Sequence, residues 1–177
     1  MKKITVIICN YNNEKYLEKC LKSICNQSVT KRAYSILFID DCSTDNSIII
    51  AKKYLNFENF KIIKNNKNIG LVKSCNKAIK LCKTKYIIRI DSDDYVKKNF
   101  IEKFNLSTKK DYDFIFSNYL IMKKNKFFKI NLKKKKFKSF NLLFCCFKKS
   151  TFKKSWTIQK FFLGRNWSIH KIPQILQ

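Results

Sequence analysis

Only 12 acidic side chains stand against 39 basic ones in this 177-residue chain, and their placement is uneven. Six of them fall in two short stretches, Asp40-Asp41-Cys42-Ser43-Thr44-Asp45 and Asp91-Ser92-Asp93-Asp94. Carboxylates this close repel one another and resist desolvation unless a cation or hydrogen-bond donors hold them. Their hard oxygens suit Mg²⁺ or Mn²⁺, and such an ion commonly completes its shell with substrate phosphate oxygens. A diphosphate-bearing ligand follows from that chemistry. The plainer reading is a pair of polar turns, with Asp41, Ser43 and Asp45 capping the helix that follows. Other chemistries have little material. Two glycines exclude a G-x-G-x-x-G fingerprint and a P-loop, and His170 is the only histidine. The eight cysteines form no C-x-x-C pair, and most sit in apolar patterns, so they read as reduced, structural thiols.

The elements that must carry these stretches alternate. Residues 4–9 are a β-branched run of the buried kind, followed by the polar turn Asn10-Tyr11-Asn12-Asn13 and a helical pattern with Leu17, Cys20, Leu21 and Ile24 on one face. Residues 34–39 give a second strand and 48–55 a second helix. Residues 60–64 give a third strand, and 71–82 a third helix with Leu71, Cys75, Ala78, Ile79 and Cys82 facing inward. Residues 86–90 form a fourth strand that ends in the second acidic stretch. This alternation predicts an α/β, Rossmann-like fold with a mainly parallel sheet flanked by helices. Ligands of such sheets bind beyond the carboxyl ends of the strands, which selects the loops 9–13, 40–46 and 91–95. Residues 111–122 read as one or two further strands, and 140–147 as a buried helix or strand.

Val6-Ile7-Ile8-Cys9-Asn10-Tyr11-Asn12, Phe38-Ile39-Asp40-Asp41-Cys42-Ser43-Thr44-Asp45, Asn68-Ile69-Gly70 with Ser74-Cys75-Asn76, and Arg89-Ile90-Asp91-Ser92-Asp93-Asp94 stand in this order along roughly residues 2–118. Together they resemble the successive signatures of family 2 glycosyltransferases. The resemblance implies an A-type nucleotide-sugar fold, a nucleoside-diphosphate sugar as donor, UDP-linked by preference, and transfer with inversion. It implies that Cys9 to Tyr11 line the nucleotide, with Tyr11 against the base. Asp40 would accept from the base imide, with Asp41 supporting the same pocket. It further implies that Asp91, Ser92 and Asp93 form the Asp-X-Asp motif, that Asp91, Asp93 and Asp94 hold Mn²⁺ or Mg²⁺ and the ribose, and that Lys73 lies near the phosphates. The expected division is a nucleotide-sugar-binding domain over 1–118 and a basic, aromatic-rich acceptor-side segment over 119–177.

The second segment departs from the family pattern. An inverting transfer needs a general base, which the family supplies as a carboxylate in the second half of the domain. From residue 114 to residue 177 there is no carboxylate, and Gly164-Arg165-Asn166-Trp167 stands where an acidic pair is expected. His170 is the remaining candidate base. The chain also stops earlier than the family pattern leads one to expect, so a truncated product with an incomplete acceptor half, binding nucleotide without transfer, is the rival expectation.

The formal charge of +27 has two readings. Lys, Ile, Asn and Phe, all with A/T-rich codons, make up 94 of the 177 residues, so base composition accounts for part of it. Lysines interleaved with Phe127, Phe128, Phe137, Phe140 and Phe144 also suit an anionic membrane surface. Nucleic acid is the weaker partner, because two acidic clusters repel phosphate unless metal is bound. With no secretory h-region and no apolar run near ~18 residues, the expected location is cytoplasmic, at most peripheral at the inner face of the cell membrane, with a glycan or lipid-linked acceptor.

Overall fold

The structure, a computed structural model, describes residues 4–109, 111, 114–116, 119–123, 126–130 and 145–151. Its elements are β1 (Ile4–Asn10), α1 (Glu14–Cys25), β2 (Tyr34–Asp40), α2 (Ser47–Lys52), β3 (Phe60–Lys64), α3 (Leu71–Leu81), β4 (Tyr86–Asp91), α4 (Phe100–Thr108), β5 (Phe114–Phe116), β6 (Tyr119–Lys123), β7 (Lys126–Ile130) and β8 (Cys145–Lys148). The expected α/β, Rossmann-like architecture is present. Six strands form one sheet in the order β3-β2-β1-β4-β8-β5, and β6 and β7 form a separate antiparallel hairpin. The first four are parallel, with Ile4 opposite both Tyr34 and Tyr86.

Every residue of β1 is buried, as a central parallel strand covered on both faces requires. Alternate side chains serve opposite faces. Ile4, Val6, Ile8, Ile88 and Ile90 pack with Leu17, Cys20, Leu21 and Ile24 of α1, Ala51 of α2, and Phe100, Ile101 and Phe104 of α4. Ile7, Cys9, Leu37, Ile39 and Ile87 pack with Cys75, Ala78 and Ile79 of α3 and with Cys82. Each fully buried Ile or Leu contributes about 1.5–3 kcal/mol, which ties the helices to a fixed place above the sheet. The chain leaves β1 towards β2 and β3, then returns to β4 on the other side. The reversal between β1 and β4 opens a crevice at their carboxyl ends.

Two expectations are corrected. The second helix is only Ser47–Lys52, because Lys53, Tyr54 and Leu55 donate three residues back and tighten into turns. Leu71, expected to face inward, is 47% exposed. It opens α3 a full turn before Cys75, where the strands have ended and no sheet remains to cover it. β8 inserts antiparallel between β4 and β5, with Phe147 opposite Ile87 and Phe114, so the sheet takes strands from both sides of residue 118. Residues 140–144 lie outside the described residues, but Cys145–Lys148 of the same apolar stretch is strand.

Gly70 joins β3 to α3 at φ +85°, ψ 156°, a region open to glycine and costly for L side chains. A Cβ built there meets nothing within 4 Å, so backbone strain alone opposes a substitution. Gly70→Ala is expected to lower stability by about 1–3 kcal/mol in urea denaturation. A change within ordinary surface scatter, about 0.5 kcal/mol or less, would show that this conformation is not required.

Candidate functional site

The three loops selected by the strand ends meet over the crevice. Asn10 ends β1 opposite Asp40 at the end of β2, and Cys9 lies opposite Asp91 of β4. The Asn10 Nδ2 donates to Asp40 Oδ1 at 3.4 Å and to Ser43 Oγ at 3.2 Å, and the Ser43 amide donates to Asp40 Oδ2 at 3.0 Å. Asn12, in the left-handed region at φ 48°, donates its amide to Ser43 Oγ and accepts the Thr44 amide at 2.8 Å. Asparagine tolerates that conformation and uses its side chain to close the loop. The third loop joins when Asn13 Nδ2 donates to Ser92 Oγ at 2.9 Å.

Asp45 and Glu14 lock α1 to the β2–α2 loop. The amides of Glu14 and Ser47 donate to the two Asp45 oxygens at 2.8 and 3.0 Å, while the Asn46 amide donates to Glu14 Oε2 at 2.8 Å. The Asp45 carboxyl is held below its ordinary range: burial pushes it up, and the donors from Ser47 and Glu14 outweigh that.

Asp41 is 3% exposed, and its carboxylate is committed inside the fold. It takes Asn65 Nδ2 at 2.7 Å and the Ile69 amide at 3.0 Å on one oxygen, and the Gly70 amide at 2.8 Å on the other. Burial pushes this carboxyl up, but hydrogen bonds from Ile69, Asn65, Ser74 and Gly70 bring it below the usual range. Its expected place in the pocket is thus structural support beneath it. Asn65 extends the network, donating to Ser74 Oγ at 2.9 Å and accepting from Lys77 Nζ at 2.6 Å.

The acidic loop after β4 carries three different carboxylates. Asp91 pairs with the guanidinium of Arg89, a residue only 5% exposed. Burial pushes the Asp91 carboxyl up while Arg89 pulls it down, with a net rise. Asp94 is raised to about 6, first by burial and then by the charges of Asp93 and Asp91. Its Oδ2 is buried with no hydrogen-bond partner among the described residues. Asp93 is exposed at the rim.

Among the described residues no three His, Cys, Asp or Glu side chains converge to hold an ion. Of the expected trio, Asp91 is paired with Arg89, while Asp93 and Asp94 form no ion pair among the described residues. What remains still fits a hard divalent ion that draws most of its ligands from water and phosphate: Asp93 is open, and Asp94 has an unsatisfied oxygen.

The other expected residues divide. Tyr11 is 49% exposed on the β1–α1 loop. Ser92 is buried and anchored by Asn13. Lys73 lies exposed in the first turn of α3. The Cys9 side chain does not line the crevice: it packs under α3, 3.4 Å from the sulfur of Cys75, so only its backbone borders the site. Cys9, Cys20, Cys25, Cys42, Cys75 and Cys82 are free thiols. His170 lies outside the described residues.

Sequence reasoning assigned no role to Asn13, Asn65 or Arg89, and took Asn10 only as part of the stretch from Cys9 to Tyr11. Arg89 had a signal, being one of few arginines in a lysine-rich chain and set inside the apolar run Ile87-Ile88-Arg89-Ile90. Asn10 is 2% exposed, and its Oδ1 has no partner among the described residues.

Comparison with known proteins supplies the remaining observation. A family model described as glycosyl transferase family 2 matches residues 5–165. The poly(ribitol-phosphate) beta-N-acetylglucosaminyltransferase TarS of Staphylococcus aureus (strain Mu50) is 36% identical over 103 residues, covering 58% of this chain and 18% of that protein. The cholesterol galactosyltransferase of Borreliella burgdorferi is 34% identical over 134 residues, covering 75% of this chain and 36% of that protein. Among solved structures, S. aureus TarS 1–349 superposes with a TM-score of 0.71 at 26% identity, over 85% of this chain and 48% of that one. The same S. aureus fragment in complex with UDP-GlcNAc gives 0.62 at 32% identity, over 64% and 33%. The chain spans between about a fifth and two fifths of the length of these two curated relatives.

Proposed function

Because the chain belongs to glycosyl transferase family 2, we propose that the crevice between β1 and β4 binds a nucleoside-diphosphate sugar and that the sugar passes, with inversion, to a hydroxyl of a glycan or lipid-linked acceptor. The observation that carries this reading is the pair of unsatisfied buried acceptors, Asn10 Oδ1 and Asp94 Oδ2, in the loops at the carboxyl ends of adjacent parallel strands. A buried acceptor without a donor costs about 1–3 kcal/mol, and a base N–H, a hydroxyl or a cation removes that cost.

In this reading Tyr11 stacks on the base, and Asp40, held between Asn10 and Ser43, orients the base edge. Asp93 and Asp94 hold Mn²⁺ or Mg²⁺, Asp91 faces the ribose, and Lys73 faces the phosphates. When bound, the ion offsets the charge that develops on the departing diphosphate. The residues themselves orient the donor and present the exposed Asp93 carboxylate at the crevice. A UDP-sugar is the favoured donor, since the S. aureus neighbour was solved with UDP-GlcNAc. A phosphate-containing polyol is a fitting acceptor, in view of the poly(ribitol-phosphate) relative and the excess of 39 basic over 12 acidic residues. That excess also supports a peripheral place at an anionic membrane, and no helix among the described residues is long and apolar enough to cross one.

The absence of any carboxylate from residue 114 to residue 177 favours a second reading, in which nucleotide binds without transfer. His170 is the base that transfer would use. Incubation with UDP-GlcNAc, Mn²⁺ and a poly(ribitol-phosphate) chain separates the two. Acceptor-dependent release of UDP supports transfer, and saturable UDP binding with no release supports the second reading.

A further inference from the structure

Arg89 and Asp91 lie two residues apart on β4, a spacing that puts both side chains on one face of a strand. Ile87, two residues earlier, marks that face: it packs under α3 with Cys9, Ile7 and Cys75. Arg89 is opposite Ile7 and Asp91 opposite Cys9 in the ladder with β1. The guanidinium is thus enclosed by apolar and thiol groups, and it is the only buried Lys or Arg among the described residues. A permanently charged, planar donor set in such surroundings holds a carboxylate in one orientation, because both charges lose stabilisation if they part. Asp93 and Asp94, two and three residues further on, form no ion pair among the described residues, and the Arg89 charge reaches Asp94 only as a minor influence beside burial and the neighbouring carboxylates.

We propose that Arg89 is a positioning residue that fixes Asp91 as a ligand-facing acceptor and keeps it out of the metal's coordination, so that the ion is held by Asp93, Asp94 and the diphosphate alone. This rests on the nucleotide-sugar reading of the site and goes further, because it assigns the three adjacent carboxylates to two different tasks. A built-in cation next to one of them makes the site a poor ion trap when nucleotide is absent and a good one when diphosphate oxygens arrive. Nucleotide and ion then bind as one unit.

The test measures free Mn²⁺ by electron paramagnetic resonance in the absence of nucleotide, and UDP affinity by calorimetry with Mn²⁺ and with EDTA, on the whole chain. Arg89→Met is expected to tighten nucleotide-free Mn²⁺ binding by roughly tenfold, since Asp91 becomes available as a further charged ligand. The same variant weakens UDP in EDTA by about tenfold, while Arg89→Lys restores most of both values. A parallel loss of Mn²⁺ and UDP affinity would indicate damage to the fold and overturn the proposal. Asp91→Asn keeps the test open if Arg89→Met does not fold: nucleotide-free Mn²⁺ affinity stays at the starting value while UDP affinity falls. A drop in that Mn²⁺ affinity of about tenfold or more would mean that Asp91 is a ligand and would overturn the proposal. Absence of both UDP and Mn²⁺ binding in the unaltered chain would instead overturn the nucleotide-sugar reading, and the assignment of Arg89 with it.

Discussion

Asp93→Asn is expected to lower the affinity for UDP in the presence of Mn²⁺ by roughly 100-fold or more, the scale seen when even supporting residues of a metal site are lost. Asp93 is exposed at the tip of the loop after β4 and accepts no hydrogen bond from the described residues, so its carboxylate carries no structural duty. Asparagine keeps its size and one oxygen but removes the negative charge that a hard cation needs. The thermal midpoint should therefore stay unchanged while metal-dependent binding disappears and the weaker binding expected in EDTA persists. The pH dependence follows from its neighbour. With Asp94 raised to about 6, protons compete with the ion as the pH falls from 7 to 5, and metal-dependent UDP binding weakens across that window. The metal-free fold moves the other way: a carboxyl with a raised folded pKa binds protons more tightly when folded, so its contribution to stability improves as the pH falls through 6. Opposite pH trends for binding and for apo stability are a signature that a surface carboxylate would not give.

Asp41→Ala has a comparable effect on stability, about 3–5 kcal/mol lost in chemical denaturation, the range for breaking a buried charged network. One carboxylate gathers the Asn65 side chain and the amides of Ile69 and Gly70. Hydrogen bonds to a charged group contribute about 1.5–3 kcal/mol each, and alanine leaves the Ile69 amide and one Asn65 N–H without an acceptor, while the Gly70 amide keeps Asn68 Oδ1 at 3.0 Å. The loss spreads to function, because the same network sets the start of α3 and the strained Gly70. Asp41→Asn retains an acceptor but cannot serve all three donors, so it falls between. The sign of the pH effect is opposite to that of Asp94. A carboxyl lowered on folding stabilises above its ordinary pKa, and that stability is lost as the pH falls through the carboxylate range. An Asp41→Ala chain as stable as the original at pH 7 would show that the β3–α3 turn stands without it.

Much of this arrangement was legible in the residues. The runs at 4–9, 34–39, 60–64 and 86–90 became β1 to β4 with boundaries within a residue, because strands buried on both faces, as β1, β2 and β4 are, need near-continuous apolar side chains, while the edge strand β3 mixes lysines with apolar residues. The crevice followed from the position of the polar loops at their ends. The family signatures named Asp40, Asp41, Asp91 and Asp93, but types and spacing do not say where a carboxylate points. Asp41 turned into the fold towards Gly70, and Asp91 towards Arg89, whereas Asp93 stayed open. Cys9 illustrates the same limit: period-two alternation from Ile7 directs its sulfur under α3 and leaves only the backbone at the crevice. β8 was least legible. A four-residue strand joining β4 across more than fifty intervening residues depends on pairing partners that local pattern does not reveal.

The most direct measurement is calorimetric titration of the unaltered chain with UDP in Mn²⁺ and again in EDTA. The nucleotide-sugar site predicts saturable binding at one site per chain that weakens by at least about tenfold when the metal is removed. No heat of binding under either condition, or an affinity indifferent to Mn²⁺, would contradict it.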